Sequence, residues 1–76
     1  MGIKKSYEEQ KRMNGILNVI RHAEKHLTLI DISERLNNKY VLTDLEERLD
    51  KMIIAGNIII KWENHKKYYL PLFSFY

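Results

Sequence analysis

The sequence contains no cysteine, one proline and three scattered glycines. Without cysteine the chain can form no disulfide, no thiolate metal site and no cysteine nucleophile. The glycines are too far apart to build a phosphate-binding loop. The longest apolar run, Ile58 to Ile60, ends at Lys61 and is far shorter than the ~18 residues of a membrane span. We therefore expect no membrane partner and, because cysteine is absent, a reducing compartment such as the cytoplasm.

The chain has 76 residues, of which 45% are hydrophobic and 30% are charged. This length predicts a single domain over residues 1–76, with a core over about residues 7–71 and an apolar tail over residues 72–76. The composition is typical of a globular protein rather than of a disordered tail. A chain this short buries a small core, so we expect no large substrate pocket.

The net charge of +3 is unevenly distributed along the chain. Residues 1–26 contain six basic and three acidic side chains, and residues 57–76 contain three basic and one acidic. Residues 44–56 contain four acidic and two basic side chains. A basic chain favours an anionic partner such as nucleic acid, although +3 is also ordinary for a soluble domain.

The spacing of apolar residues predicts a first helix over residues 7–25. Ser6 and Glu9 match a capping box at its start, in which serine accepts an amide of the first turn and glutamate reaches back to the serine amide. The apolar positions recur at helical spacing and are Met13, Ile16, Leu17, Ile20, Ala23 and Leu27. This pattern indicates an amphipathic helix with one buried face.

A second, shorter helix is predicted over residues 29–37. Thr28 is a suitable N-cap, and Asp31 supplies an acid in the first turn. Asn37 and Asn38 are suited to end the helix, because asparagine tolerates the left-handed conformation.

A third helix is predicted over residues 44–55, with a capping box from Thr43 to Glu46 and a terminal glycine at Gly56. After Gly56 the apolar period changes from 3.6 to 2, which predicts a β-hairpin. Its polar turn is expected over residues 63–66, and its second strand over residues 67–70. Ile58, Ile60 and Trp62 are predicted to share one face.

This order of elements resembles the winged helix, a variant of the helix-turn-helix. Residues 29–36 look like the second helix of that family, and residues 45–58 look like its third helix and the glycine turn into the wing. The resemblance covers about residues 7–71 and implies a mainly α winged helix-turn-helix fold with three helices and a C-terminal wing. Winged helices include DNA-binding regulators, RNA polymerase subunits, membrane-remodelling machinery and proteasome-lid-type scaffolds, so the resemblance leaves the function open.

In DNA-binding members of the family the third helix enters the major groove. Here its matching surface is acidic, with Asp44, Glu46, Glu47 and Asp50. The wing and the N-terminus are better suited to phosphates. The residues we predict to bind nucleic acid are Lys61, Asn64, His65, Lys66 and Lys67 of the wing, Arg48 and Lys51 of the third helix, and Lys4 and Lys5 of the N-terminus. A solvated charged surface is the simpler explanation for each group.

The leading prediction is therefore a small winged-helix protein that binds double-stranded DNA and regulates transcription or replication. The alternative is a protein-docking module that uses the acidic helix over residues 44–55 and the aromatic C-terminal tail. Charge reversal on the third helix distinguishes the two, because it should strengthen DNA binding in the first case and abolish a partner contact in the second.

Five of the eight aromatic residues lie between positions 68 and 76. Exposed, such a tail would promote aggregation, so we expect it to be covered. The predicted interface residues are Ile54, Leu72, Phe73, Phe75 and Tyr76. We expect a two-fold homodimer, and the alternative is that the tail completes the core of its own chain.

No catalytic or cofactor-binding pattern is present in the sequence. His22 and His26 have the i, i+4 spacing that can bind a metal, but no third ligand is close in sequence and no HExxH motif surrounds them. None of the serines lies in a nucleophile-elbow setting. We therefore predict no enzyme activity, no metal and no cofactor. Residues 1–6 match the N-myristoylation template, for which a chance match or a glycine left by cloning is the alternative explanation.

Overall fold

The computed structural model describes the backbone of residues 2–72 and the side chains of residues 7–72. Within this part the chain forms α1 (Gly2–Arg21), α2 (Leu29–Arg35), α3 (Leu42–Ile54), β1 (Ile58–Glu63) and β2 (Lys66–Pro71). The two strands pair antiparallel, and Leu27 adds an isolated bridge to Tyr69. The predicted mainly α fold with a C-terminal hairpin is confirmed, and the arrangement is consistent with a winged helix.

Helix α1 differs from the prediction at both ends. It begins at Gly2, so Ser6 lies inside the helix and the predicted capping box at Ser6 and Glu9 is wrong. It ends at Arg21 rather than at residue 25. The early end has a tertiary cause, because the Leu27 carbonyl accepts a hydrogen bond of 2.8 Å from the Tyr69 amide and the chain must be extended there. Strand pairing overrides the helical periodicity of the apolar residues.

Helix α2 begins as predicted. The Thr28 hydroxyl accepts from the Asp31 amide at 3.3 Å, and the Thr28 amide donates to the Asp31 carboxylate at 3.1 Å. The hydrogen bond from the Thr28 backbone lowers the pKa of Asp31 despite its partial burial. After the helix, Asn37 and Asn38 have φ angles of 59° and 55°, which confirms the predicted left-handed stop.

Helix α3 begins at Leu42, two residues before the predicted start, so the predicted capping box from Thr43 to Glu46 is wrong. The Val41 carbonyl accepts the Leu45 amide at 2.9 Å and closes the first turn without a side-chain cap. The predicted terminal glycine is confirmed, because Gly56 has a φ of 81° directly after the helix.

The hairpin turn is formed by Asn64 and His65, both in the left-handed region with φ angles of 51° and 66°. This pair of angles is typical of the two-residue turn that matches the natural twist of β-strands. The predicted four-residue turn over residues 63–66 is therefore too long, because Glu63 and Lys66 pair as the last and first residues of the two strands. The turn therefore fixes the register of the hairpin up to its tip. This hairpin, residues 58–71, is called the wing below.

The core lies between the helices and the base of the hairpin. Its buried apolar side chains come from the three helices, their connections and both strands, and are Ile16, Leu17, Ile20, Ala23, Leu27, Ile32, Leu45, Leu49, Met52, Ile58 and Tyr69. Along β1 burial decreases from Ile58, which is buried, through Ile60, which is half-buried, to Trp62, which is exposed. The base of the hairpin is thus anchored, and its tip protrudes into solvent.

The Tyr69 hydroxyl is buried and has no hydrogen-bond partner among the described residues. A buried polar group without a partner is destabilising, so we expect Tyr69→Phe to raise the free energy of unfolding by about 1 kcal/mol. Ser33→Ala is the matched control, because the buried Ser33 hydroxyl does donate to the Asn38 side chain at 3.2 Å and its loss should destabilise. Urea unfolding measures both. Destabilisation by Tyr69→Phe would show that the hydroxyl has a partner after all.

Candidate nucleic-acid interface

The wing tip brings together the five wing residues that the sequence singled out. Lys61, Asn64, His65 and Lys66 are exposed, and Lys67 is half-buried. The Lys67 ammonium lies 5.2 Å from the centre of the Tyr69 ring, a cation–π distance that orders the side chain. Three cations and one acid over β1, the turn and β2 leave this protruding ribbon positively charged.

The one ion pair at the wing among the described residues is weak. The Lys61 ammonium lies 3.8 Å from the Glu63 carboxylate, and both side chains are about half exposed, at 53% and 55%. An exposed pair at this distance contributes little to stability, because water screens it and both side chains lose freedom to form it. Lys61 can therefore exchange Glu63 for a phosphate at small cost.

Trp62 was not among the predicted site residues, yet it lies next to Lys61 in β1, beside this group. It is 67% exposed and lies opposite Lys67 in the strand register. The alternating pattern predicts only that Trp62 shares a face with Ile58 and Ile60. Its exposure could have been predicted from its position in the strand. Trp62 is the last apolar residue before the turn and lies too far along β1 to pack against the helices.

Arg48 is predicted to bind nucleic acid, but two carboxylates of the protein already bind its side chain. Its guanidinium donates to Glu9 of α1 at 3.0 Å and to Asp44 at 3.2 Å, and its side chain is only 15% exposed. The central carbon of the guanidinium lies 5.5 Å from the centre of the Tyr40 ring. Arg48 thus joins α1 to α3. We name this group, Glu9, Tyr40, Asp44 and Arg48, the Arg48 clamp.

The electrostatics of the clamp keep Arg48 charged. Partial burial opposes the charge, but the hydrogen bond to Asp44 and the attraction of Glu9 outweigh it and raise the pKa of Arg48. With Arg48 neutralised by its partners, the exposed charges of α3 are Glu46, Glu47, Asp50 and Lys51. The exposed surface of α3 is therefore net acidic.

The remaining predicted residues are spread over the molecule. The backbone of Lys4 and Lys5 lies in α1, and their side chains are outside the described residues. Ile54 is 87% exposed, and Leu72 is also exposed. The predicted interface residues Phe73, Phe75 and Tyr76 lie outside the described residues.

His22 and His26 do not share a helix face, because α1 ends at Arg21. The His26 ring instead makes an edge contact with Tyr68, with ring centres 6.4 Å apart. Over the described side chains, no three histidine or acidic residues are grouped closely enough to hold a metal ion. Of the helices described, none has the length and apolar character needed to cross a bilayer.

Comparison of the chain with protein-family models, with curated proteins and with solved structures finds no match in any of the three. The assignment of a surface to a function therefore depends on the geometry and charge of the residues described above.

Proposed function

We propose that this protein is a small winged-helix regulator of transcription or replication that binds DNA mainly through its wing. The observation that supports this is the protruding hairpin, on which Lys61 and Lys66 are exposed and held in a fixed register by a tight turn. A rigid basic ribbon loses little conformational entropy when it contacts phosphates, so its charge is used efficiently.

In this proposal the wing, and not α3, makes the main phosphate contacts. Glu46, Glu47 and Asp50 repel the DNA backbone, and the guanidinium of Arg48 is already bound to Glu9 and Asp44. Lys51 is the exposed cation that α3 still offers. Binding is therefore electrostatic and weakly dependent on DNA sequence.

The test is a salt titration of binding to a labelled duplex of about 20 base pairs, starting at ~50 mM salt. If four lysines contact phosphates, the logarithm of the binding constant should fall with the logarithm of salt with a slope of about −4. A mass measurement in the same buffer tests the proposed homodimer, for which exposed Ile54 and Leu72 are the described interface candidates. Absence of duplex binding at ~50 mM salt contradicts the proposal.

A second candidate, protein docking, is favoured by a separate observation. Val41 is 71% exposed, and two other apolar residues are exposed in part. Leu42 follows Val41 in the chain, and Ile30 lies across a shallow cavity from Leu42. This cavity, of about 470 Å³, lies between α2 and the start of α3 and is lined by Ile30, Ser33, Glu34, Asn38, Tyr40 and Leu42. Apolar side chains next to an acidic helix fit a basic, partly apolar partner chain.

A further inference from the structure

Resting on the proposed function, we infer that Trp62 is a stacking platform for an unpaired base, so that the wing binds single-stranded nucleic acid more tightly than closed duplex. Trp62 is 67% exposed on a basic hairpin. An aromatic ring beside cations is the arrangement by which proteins bind single strands, because every base has a π-face and every nucleotide a phosphate.

The position of Trp62 is fixed by the strands beneath it. On its face of the hairpin the successive pairs are Ile58 with Pro71, Ile60 with Tyr69, and Trp62 with Lys67. Ile58, Tyr69 and Pro71 are buried and anchor this face to the helices. Trp62 is thus an indole held on a rigid ribbon, and stacking on it requires little ordering of the protein.

The charges around Trp62 suit the backbone on both sides of a stacked base. Lys67 lies directly across the hairpin from Trp62. Lys61 and Lys66 lie on the opposite face of a ribbon that is only one residue thick, and His65 is at the tip. Long lysine side chains can reach around such a ribbon, so phosphates flanking the base meet cations on either side.

A protein partner fits Trp62 less well. Aromatic anchors of protein interfaces lie within apolar patches that exclude water. On its own face of the hairpin Trp62 instead has Lys67 directly across from it and the half-buried Ile60 two residues before it in β1. These neighbours favour a ligand that combines an apolar face with negative charge, which describes a nucleotide chain.

Trp62 is the only tryptophan in the chain, so intrinsic fluorescence reports directly on its surroundings. We expect a thymidine oligonucleotide of about 15 nucleotides to quench this fluorescence. Binding of the labelled oligonucleotide should weaken roughly tenfold in Trp62→Ala and much less in Trp62→Phe, which keeps a ring. Binding of a blunt duplex of about 20 base pairs should change less than twofold in both variants.

Tyr7→Ala is the matched control, because Tyr7 is an aromatic residue that is similarly exposed but lies in α1. It should change neither affinity, and unfolding curves confirm that each variant is folded. Unquenched fluorescence at saturating oligonucleotide, or equal affinity of Trp62→Ala and the parent chain, overturns the inference. Quenching by anionic lipid vesicles but not by the oligonucleotide also overturns it and assigns Trp62 to a membrane surface.

Failure of this inference is distinguishable from failure of the proposed function. If Lys61→Gln with Lys66→Gln weakens duplex binding while Trp62→Ala changes nothing, the inference falls and the basic wing stands. If the parent chain binds neither duplex nor single strand at ~50 mM salt, both fall together.

Discussion

Replacing Arg48 with alanine is expected to lower the free energy of unfolding by about 2 kcal/mol. The variant loses two charged hydrogen bonds, to Glu9 at 3.0 Å and to Asp44 at 3.2 Å, and the contact with the Tyr40 ring. The loss is smaller than for a fully buried pair, because both carboxylates are nearly half exposed and recover water when the arginine is removed. In a domain of this size that loss is a large part of the total stability.

Arg48→Lys keeps the charge but cannot donate to two carboxylates in one plane, so we expect about half of the loss. Lys51→Ala, one turn from the clamp on the exposed side of α3, should change stability by less than about 0.5 kcal/mol. Urea unfolding measures all three. Combining Arg48→Ala with Glu9→Gln should cost less than the sum of the two changes, since they share one hydrogen bond. Strict additivity would mean that the contact does not stabilise the fold.

Reversing two acids of α3, in the double variant Glu46→Lys with Glu47→Lys, is expected to tighten duplex binding about tenfold at ~50 mM salt. Both side chains are exposed on the acidic surface of α3. If the wing brings DNA close to α3, the two acids repel phosphates in the parent chain and the two new lysines attract them. The gain should shrink as salt is raised, because exposed charges are screened.

The single variants Glu47→Lys and Glu24→Lys separate a local effect from a change in net charge. Both acids are exposed and both variants add the same charge, but Glu24 lies in the connection after α1. We expect Glu47→Lys to tighten binding several-fold more than Glu24→Lys. Equal effects would place α3 away from the DNA. A variant that leaves DNA binding unchanged but loses a protein partner would favour the docking function.

The sequence predicted the elements of this fold well and their ends less well. Capping at Thr28, the asparagine stop after α2, and Gly56 are local features, and each is confirmed. The end of α1 could not be predicted from spacing, because it depends on the bridge between Leu27 and Tyr69, which are far apart in the chain. The start of α3 was missed because a main-chain hydrogen bond replaced the expected side-chain cap.

The candidate site was predicted only in part, because some of its residues are placed by local sequence and others by contacts between distant parts of the chain. A hairpin places its turn residues together, so the clustering of Asn64, His65 and Lys66 follows from local sequence. The structural position of Arg48 depends on Glu9, which is 39 residues away, and no local pattern indicates that contact. The exposure of Trp62 depends on how far the helices extend along the wing, which is a property of the packed molecule.

The salt dependence of a wing variant shows whether the wing supplies the charge that binds DNA. Lys61→Gln with Lys66→Gln should reduce the slope of the salt titration by about 2 and weaken duplex binding at least tenfold at ~50 mM salt. The matched control, Lys25→Gln with Lys39→Gln, removes the same charge from exposed positions outside the wing and should leave the slope nearly unchanged. Equal slopes for the two variants would show that the wing lysines do not supply this charge.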